Sequence, residues 1–245
     1  MNSISVVIPT YNEKKRLPRT LENVVQFLSE NFPGRSEIII SDGGSNDGTV
    51  EYVNEFRSLV PIKLVSQKIR EGKGAGVKKG MLHASRDFVL FMDADNSTNI
   101  SQLKKLDQFT DEYQVIIGSR YAGKEITVKQ SFARRIVSRV GHFIIKILTK
   151  LDINDTQCGF KLFSNRAVKT IFPRQQSKGW GFDVEILMLA QKMGFEIKEV
   201  PVVWRDTEGS HLRGVGALFA TFSEVVNIAK NVRSLKLEDY EKNSN

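Results

Sequence analysis

An α/β fold, built on a mostly parallel twisted sheet with helices on both faces, is predicted by three observations. Short apolar runs alternate with helix-compatible stretches through residues 1–119. Three of the runs end in polar loops that carry carboxylates: 4–8 leads into Pro9, Tyr11, Asn12 and Glu13, 37–41 into Asp42 and a glycine turn, and 88–92 into Asp93 and Asp95. A length of 245 residues suits one such domain with a good core.

The elements follow in order. Residues 4–8 (ISVVI) make the first strand, breaking at Pro9. A helix at 18–31, a strand at 37–41, a helix at 48–57, a strand at 62–66, a helix at 73–84, a strand at 87–92 and a strand at 114–118 complete the first half. Farther on, Ile136, Val137, Val140, Phe143, Ile144, Ile147, Leu148 and Leu151 recur at helical spacing, opposite a stripe of Arg135, Arg139, His142, Lys146 and Lys150. A basic amphipathic helix over 133–151 reads as a membrane-surface element; the alternative is a core-facing helix with a solvated basic face. A second such helix, 215–235, carries Leu218, Phe219, Phe222, Val225, Val226, Ala229 and Val232, and a polar tail occupies 238–245.

The formal charge of +8 asks for an acidic partner: nucleic acid, anionic lipid or a nucleotide diphosphate. Much of the excess is local, with eight Lys or Arg against Glu125 in residues 120–150. A nucleic-acid binder would interleave aromatics on its basic face, whereas this stripe lies opposite aliphatic residues, so no nucleic-acid partner is expected. Cys158 is the single cysteine, which rules out an intramolecular disulfide and points to a reducing compartment. It reads as a buried structural thiol rather than a nucleophile. No basic-then-apolar leader precedes the first strand, and no apolar stretch approaches the roughly 18 to 20 residues of a membrane span. A soluble or peripheral protein is expected.

Asp93 and Asp95, two apart at a strand end, project to one side of it. In open α/β sheets ligands bind beyond the carboxyl ends of the strands. Two hard oxygen donors there suit Mg²⁺ or Mn²⁺; the plainer alternative is an Asp-rich turn capping the next helix.

PTYNE at 9–13, DGGSNDGT at 42–49 and DAD at 93–95 together resemble the family 2 glycosyltransferases, inverting enzymes with the nucleotide-sugar-binding fold called GT-A. In the second motif Gly43 stands where the family usually has a further acid, while Asp42 and Asp47 remain. REGKGAGV (70–77), DTQCGFKLF (155–163), GWGFDVEIL (179–187) and VVWRDTEGSHL (202–212) are similar to the dolichyl-phosphate glucosyltransferase branch. Ser97 argues for that branch, since the related mannose synthases usually carry Gln there; Arg205, in contrast, resembles an acceptor-phosphate Arg of the mannose synthases.

The resemblance implies transfer of a hexose from a nucleotide-diphosphate sugar, UDP-glucose first and UDP-GlcNAc or GDP-mannose as alternatives, to dolichyl or another polyprenyl phosphate. A non-catalytic nucleotide-sugar-binding protein is the remaining alternative. Pro9, Tyr11, Glu13, Asp42, Lys73, Asp93, Ala94 and Asp95 are the expected nucleotide-sugar site, with Mg²⁺ or Mn²⁺ on Asp93 and Asp95. Asp93, Asp95, Arg120 and Asp155 are the expected catalytic set. Arg120, Arg134, Gln157, Trp180, Asp183 and Arg205 are expected at the acceptor, with Lys161 shaping the reaction centre. One GT-A domain then divides into a donor half (1–119), an acceptor and membrane-docking half (120–237) and the tail, peripheral on the cytoplasmic face of a membrane.

Overall fold

The structure, a computed structural model, describes residues 1–121, 146, 148–205 and 215–235, with the backbone alone for 215–223. The expectations for Arg134, the body of the 133–151 helix, the 206–212 half of the fourth downstream motif and the tail lie outside the described residues.

The chain order is β1 (Ile4–Thr10), α1 (Leu17–Asn31), β2 (Ser36–Asp42), α2 (Thr49–Glu55), β3 (Ile62–Ser66), α3 (Lys73–Leu82), β4 (Phe88–Met92), α4 (Leu103–Asp107) and β5 (Val115–Ser119), then β6 (Phe160–Ser164), α5 (Asn165–Ile171), α6 (Phe182–Lys192), β7 (Ile197–Pro201) and α7 (Val215–Ser234). The strands form a seven-stranded sheet in the order β3-β2-β1-β4-β6-β5-β7. All neighbours are parallel except β6, which runs antiparallel to both β4 and β5. The first eight predicted elements stand within two residues of their expected bounds. The sheet is mostly parallel, as expected, with β6 its antiparallel member; α4, β6, α5, α6 and β7 were not among the predicted elements.

Side chains alternate between two cores, as the pleat requires. Val7, Ile39, Val89 and Phe91 face α3, α5, α6 and the second half of α7. Val6, Ile8, Ile38, Ile40, Leu90 and Met92 face α1 and α4. Each fully buried aliphatic contributes roughly 1.5–3 kcal/mol, so both faces are firmly sealed and the polar loops are left at the rim. Local signals set the helix starts. Pro18 sits in the first turn of α1, where its missing N–H leaves no bond unmade. The Asp47 carboxylate accepts from Thr49 N at the start of α2, and Ser164 Oγ accepts from Ala167 N to cap α5.

The second predicted amphipathic helix is present as α7, but Val225, Ile228, Ala229 and Val232 pack into the core with α6. That part of its apolar stripe is internal, not available to lipid. Leu148 and Leu151, the end of the other stripe, join the same core. The C-terminal turn of α7 is capped by Lys192, whose Nζ donates to Val232 O and Arg233 O at 2.7 Å.

Candidate active site

The carboxyl ends of β1, β2 and β4 lie side by side, and antiparallel β6 starts at the same rim. Loops 9–16, 42–48, 93–99 and 155–159 therefore meet there, beside the N-terminal ends of α3 and α6.

The 93–99 loop is shaped by its own acids. Ser97 donates through N (2.9 Å) and Oγ (2.6 Å) to Asp95 Oδ1, and Asn96 adopts the left-handed φ of 56° that lets the chain turn. Ala94 is buried, with its carbonyl accepting from Thr20 Oγ1 at 2.7 Å. Asp93 is held through its backbone, Asp93 N donating to Gly159 O at 3.1 Å. Its carboxylate meets Lys73, Nζ to Oδ1 2.7 Å, with side-chain exposures of 23% and 33%. The Lys73 ammonium also lies 4.9 Å from the Trp180 ring centre and 5.6 Å from that of Phe91. Burial pulls the Lys73 ammonium down, but Asp93, Asp183 and Asp95 together outweigh it and hold it above the usual lysine range.

Glycine fixes this corner. A Cβ on Gly159 would lie 1.9 Å from Asp93 Oδ2, one on Gly72 2.2 Å from Lys178 O, and one on Gly74 2.5 Å from Ser177 O. The close approach that the sequence reserves at Gly72 and Gly74 is thus to the 177–179 backbone, reinforced by Gly74 N and Ala75 N donating to Gly179 O and Lys178 O. Gly43 differs: a Cβ there would meet Thr10 O at 3.4 Å, an ordinary contact. Packing therefore does not require the loss of an acid at that position.

Among the residues expected at the nucleotide sugar, Pro9 pairs with Ser41 at the end of β1. Tyr11 is 36% exposed and lies under Arg70, whose Cζ is 3.9 Å from the ring centre. Glu13 binds Arg16 through both oxygens. Burial pushes the Glu13 carboxyl up, Arg16 draws it back, and Asp95 and Asp93 add to the push, leaving it raised. Asp42 is almost wholly buried and accepts from Thr10 Oγ1, Gly44 N, Ser45 N and Ser45 Oγ. Both its oxygens thus organise the glycine turn. Arg16 and Arg70 were not singled out from the sequence as site residues; the i,i+3 spacing of Glu13 and Arg16 is the signal that was available.

Among the residues expected at the acceptor, Arg120 grips Asp155 through Nε (2.7 Å), Nη2 (2.8 Å) and its backbone N (2.9 Å). Burial pushes Asp155 up, but the Arg120 fork outweighs it and leaves the carboxyl below the usual range. Arg120 also stacks near Tyr121 and Trp204, 5.5 and 5.6 Å from their ring centres. Arg205 is exposed, and its backbone N donates to Ser97 O at 2.8 Å, tying the 202–205 segment to the 93–99 loop. Trp180 is 52% exposed rather than a core aromatic, and Gln157 is half-buried. Asp183, expected at the acceptor, is 3% exposed and forms an ion pair with Lys161 inside the protein. Lys161 also donates to Cys158 O at 2.6 Å. Burial, with Asp155 nearby, pushes the Cys158 thiol up to about 12, which leaves it an inert structural group.

Asp93 and Asp95 supply hard oxygen donors. Among the described residues no cluster of three His, Cys, Asp or Glu groups assembles, so a divalent ion at this pair would complete its shell from phosphate oxygens and water, the habit of Mg²⁺-type sites. The donor chemistry fits.

This sheet order, with paired acids beyond β4 and a Gly-Lys-Gly helix start facing them, defines a glycosyltransferase of the GT-A architecture. The model of Glycosyl transferase family 2 matches residues 5–172, and the chain belongs to that family. It is 35% identical over 243 residues to a dolichyl-phosphate beta-glucosyltransferase of Dictyostelium discoideum, covering 94% of this chain and 72% of the relative. An enzyme of the same name from Saccharomyces cerevisiae is 36% identical, with 85% and 69% covered. In fold, the chain resembles mannosyl-3-phosphoglycerate synthase of Rubrobacter xylanophilus (TM-score 0.72, 16% identity, 96% and 76% covered). It also resembles glucosyl-3-phosphoglycerate synthase of Mycobacterium tuberculosis, solved with Mn²⁺, UDP-glucose and phosphoglyceric acid (TM-score 0.68, 17% identity, 96% and 81% covered).

Proposed function

We propose that the chain transfers glucose from UDP-glucose to dolichyl or another polyprenyl phosphate, giving the β-linked lipid-phosphate sugar by inversion. The observation that carries this reading is the similarity to dolichyl-phosphate beta-glucosyltransferases over most of the chain. The rim geometry supports it. Tyr11, with Arg70 against its ring, offers a flat surface to a nucleobase, and Lys73 stands at the opening where a diphosphate would lie. A Mg²⁺ or Mn²⁺ ion held by Asp93 and Asp95 would neutralise the departing diphosphate.

The acceptor is already anionic at neutral pH, so the chain's task is to orient its phosphate oxygen and exclude water. Arg205 and Arg120 are the cationic groups proposed for that phosphate, with Arg134, outside the described residues, as a third candidate, and Trp180 offers an apolar face. Arg120 is already committed to Asp155 through two N–H groups, which favours exposed Arg205 as the primary phosphate grip. No helix among the described residues is long and apolar enough to cross a membrane. The basic segment 120–150 is proposed to hold the protein peripherally on the cytoplasmic face, where anionic lipid attracts such charge.

The test is incubation with radiolabelled UDP-glucose, UDP-GlcNAc or GDP-mannose, Mn²⁺ and dolichyl phosphate in detergent, with 3-phosphoglycerate as a soluble rival acceptor. Glucosylated lipid formed from UDP-glucose is the expected product. Transfer to 3-phosphoglycerate but not to the lipid would overturn the acceptor assignment, and exclusive use of another donor would overturn the sugar.

A further inference from the structure

We propose that Lys73 is the resting counter-ion of Asp93, so that a divalent cation must compete with its ammonium until an anionic diphosphate draws that ammonium away. The inference rests on the nucleotide-sugar reading and adds the coupling between its two ligands.

Four observations carry it. The Lys73–Asp93 pair closes at 2.7 Å while each side chain stays partly exposed, so both members are within reach of solutes. The neighbouring Asp183 is engaged with buried Lys161, which leaves Asp93 as the direct ion-pair partner of Lys73. Lys73 is the first residue of α3, where the positive end of the helix dipole disfavours an ammonium and favours a phosphate. Finally, the backbone on either side is locked, because Gly72 (φ 119°) and Gly74 leave no room against the 177–179 chain. The Lys73 side chain, already in reach of Asp93 and the Trp180 face, is then the group free to turn toward an incoming phosphate.

Reciprocity follows. A nucleoside diphosphate that takes Lys73 releases Asp93 for the cation, and the cation must strengthen nucleotide binding by the same factor.

The experiment titrates Mn²⁺ into the wild-type protein and Lys73→Met, with and without UDP, read by calorimetry and by electron paramagnetic resonance of free Mn²⁺. Methionine keeps an apolar stem near Trp180 and removes the charge. Mn²⁺ alone is expected to bind Lys73→Met at least about tenfold tighter than wild type. UDP is expected to tighten Mn²⁺ binding by about 5- to 150-fold in wild type, the usual range of site coupling, and by much less in the variant. Equal affinity for Mn²⁺ alone in the two proteins overturns the proposal. A second measurement uses the native lysine: in a Trp204→Phe background, UDP added without metal should change Trp180 emission as the ammonium leaves the indole face. Bound UDP with unchanged emission also overturns it. Should UDP fail to bind at all while Lys73→Met still gains Mn²⁺ affinity, the counter-ion role stands and the nucleotide-sugar reading falls.

Discussion

Two lysine–aspartate pairs flank a single phenylalanine, and burial separates their roles. The Lys161 and Lys73 ammonium groups lie 5.7 and 5.6 Å from the centre of the Phe91 ring. Lys161–Asp183 is closed off, with side-chain exposures of 0% and 4%, whereas Lys73–Asp93 stands at 23% and 33%. Separating charges in the first pair strands an ion in a medium that cannot solvate it, so that pair behaves as structure. The second can trade its protein partner for water, metal or phosphate at small loss. Identical functional groups at one aromatic ring thus serve as mortar and as an exchangeable contact.

The sharpest way to break the comparison is to remove one half of the closed pair. Lys161→Met should lower unfolding free energy by about 3–5 kcal/mol, while the double change Lys161→Met/Asp183→Leu should recover much of that loss. Urea denaturation measures both, and a single variant as stable as wild type would place Lys161 among the exchangeable groups. On the open side, Asp95→Ala should leave the fold intact yet slow sugar transfer about 10²- to 10³-fold, the usual consequence of losing one electrostatic stabiliser of a leaving group. Full turnover in that variant, or in excess EDTA, would sever the acid pair from the chemistry.

Smaller effects probe the join between the two. Gly159→Ala drives a Cβ into Asp93; the crowding should cost about 1–3 kcal/mol and weaken Mn²⁺ binding measured with UDP present. An unchanged Mn²⁺ affinity would show that Asp93 relocates freely. The gentlest test concerns Arg120–Asp155 and is one of slope. With the Asp155 carboxyl depressed in the folded state, its stabilisation is complete above the unfolded value near 4 and disappears as pH falls from there through the folded value. Asp155→Asn should flatten stability against pH on that acid limb, and urea midpoints between about pH 5 and 3 that keep the wild-type slope would contradict it.

The first half of this architecture was legible because its strands are apolar runs that stop at Pro9, Asp42 and Asp93, and period and punctuation suffice there. β6 escaped because FKLFS has a lysine at its second position, and a buried lysine makes sense only beside Asp183, 22 residues away. β7 escaped because IKEVP is a half-exposed edge strand with two charges. For the site, residue type pointed to Asp93, Asp95 and Lys73, but not to which acids their own loops would consume. Asp42 looks like a ligand in sequence and is occupied by Thr10, Gly44 and Ser45; Asp183 does also, and lies inside. Gly159 stands inside the 155–163 motif, but its role could not be read there, since it is defined by a carboxylate 66 positions earlier.

Arg120 follows the end of β5 and Asp155 precedes the start of β6, and the two strands are antiparallel neighbours in the sheet, so the two residues meet at one rim. Their paired hydrogen bonds act as a clasp between the two strand ends. Opening that clasp at Asp155, whose side chain is wholly buried, would loosen the end of β5 and the start of β6 together, so two strands far apart in sequence share one fastening.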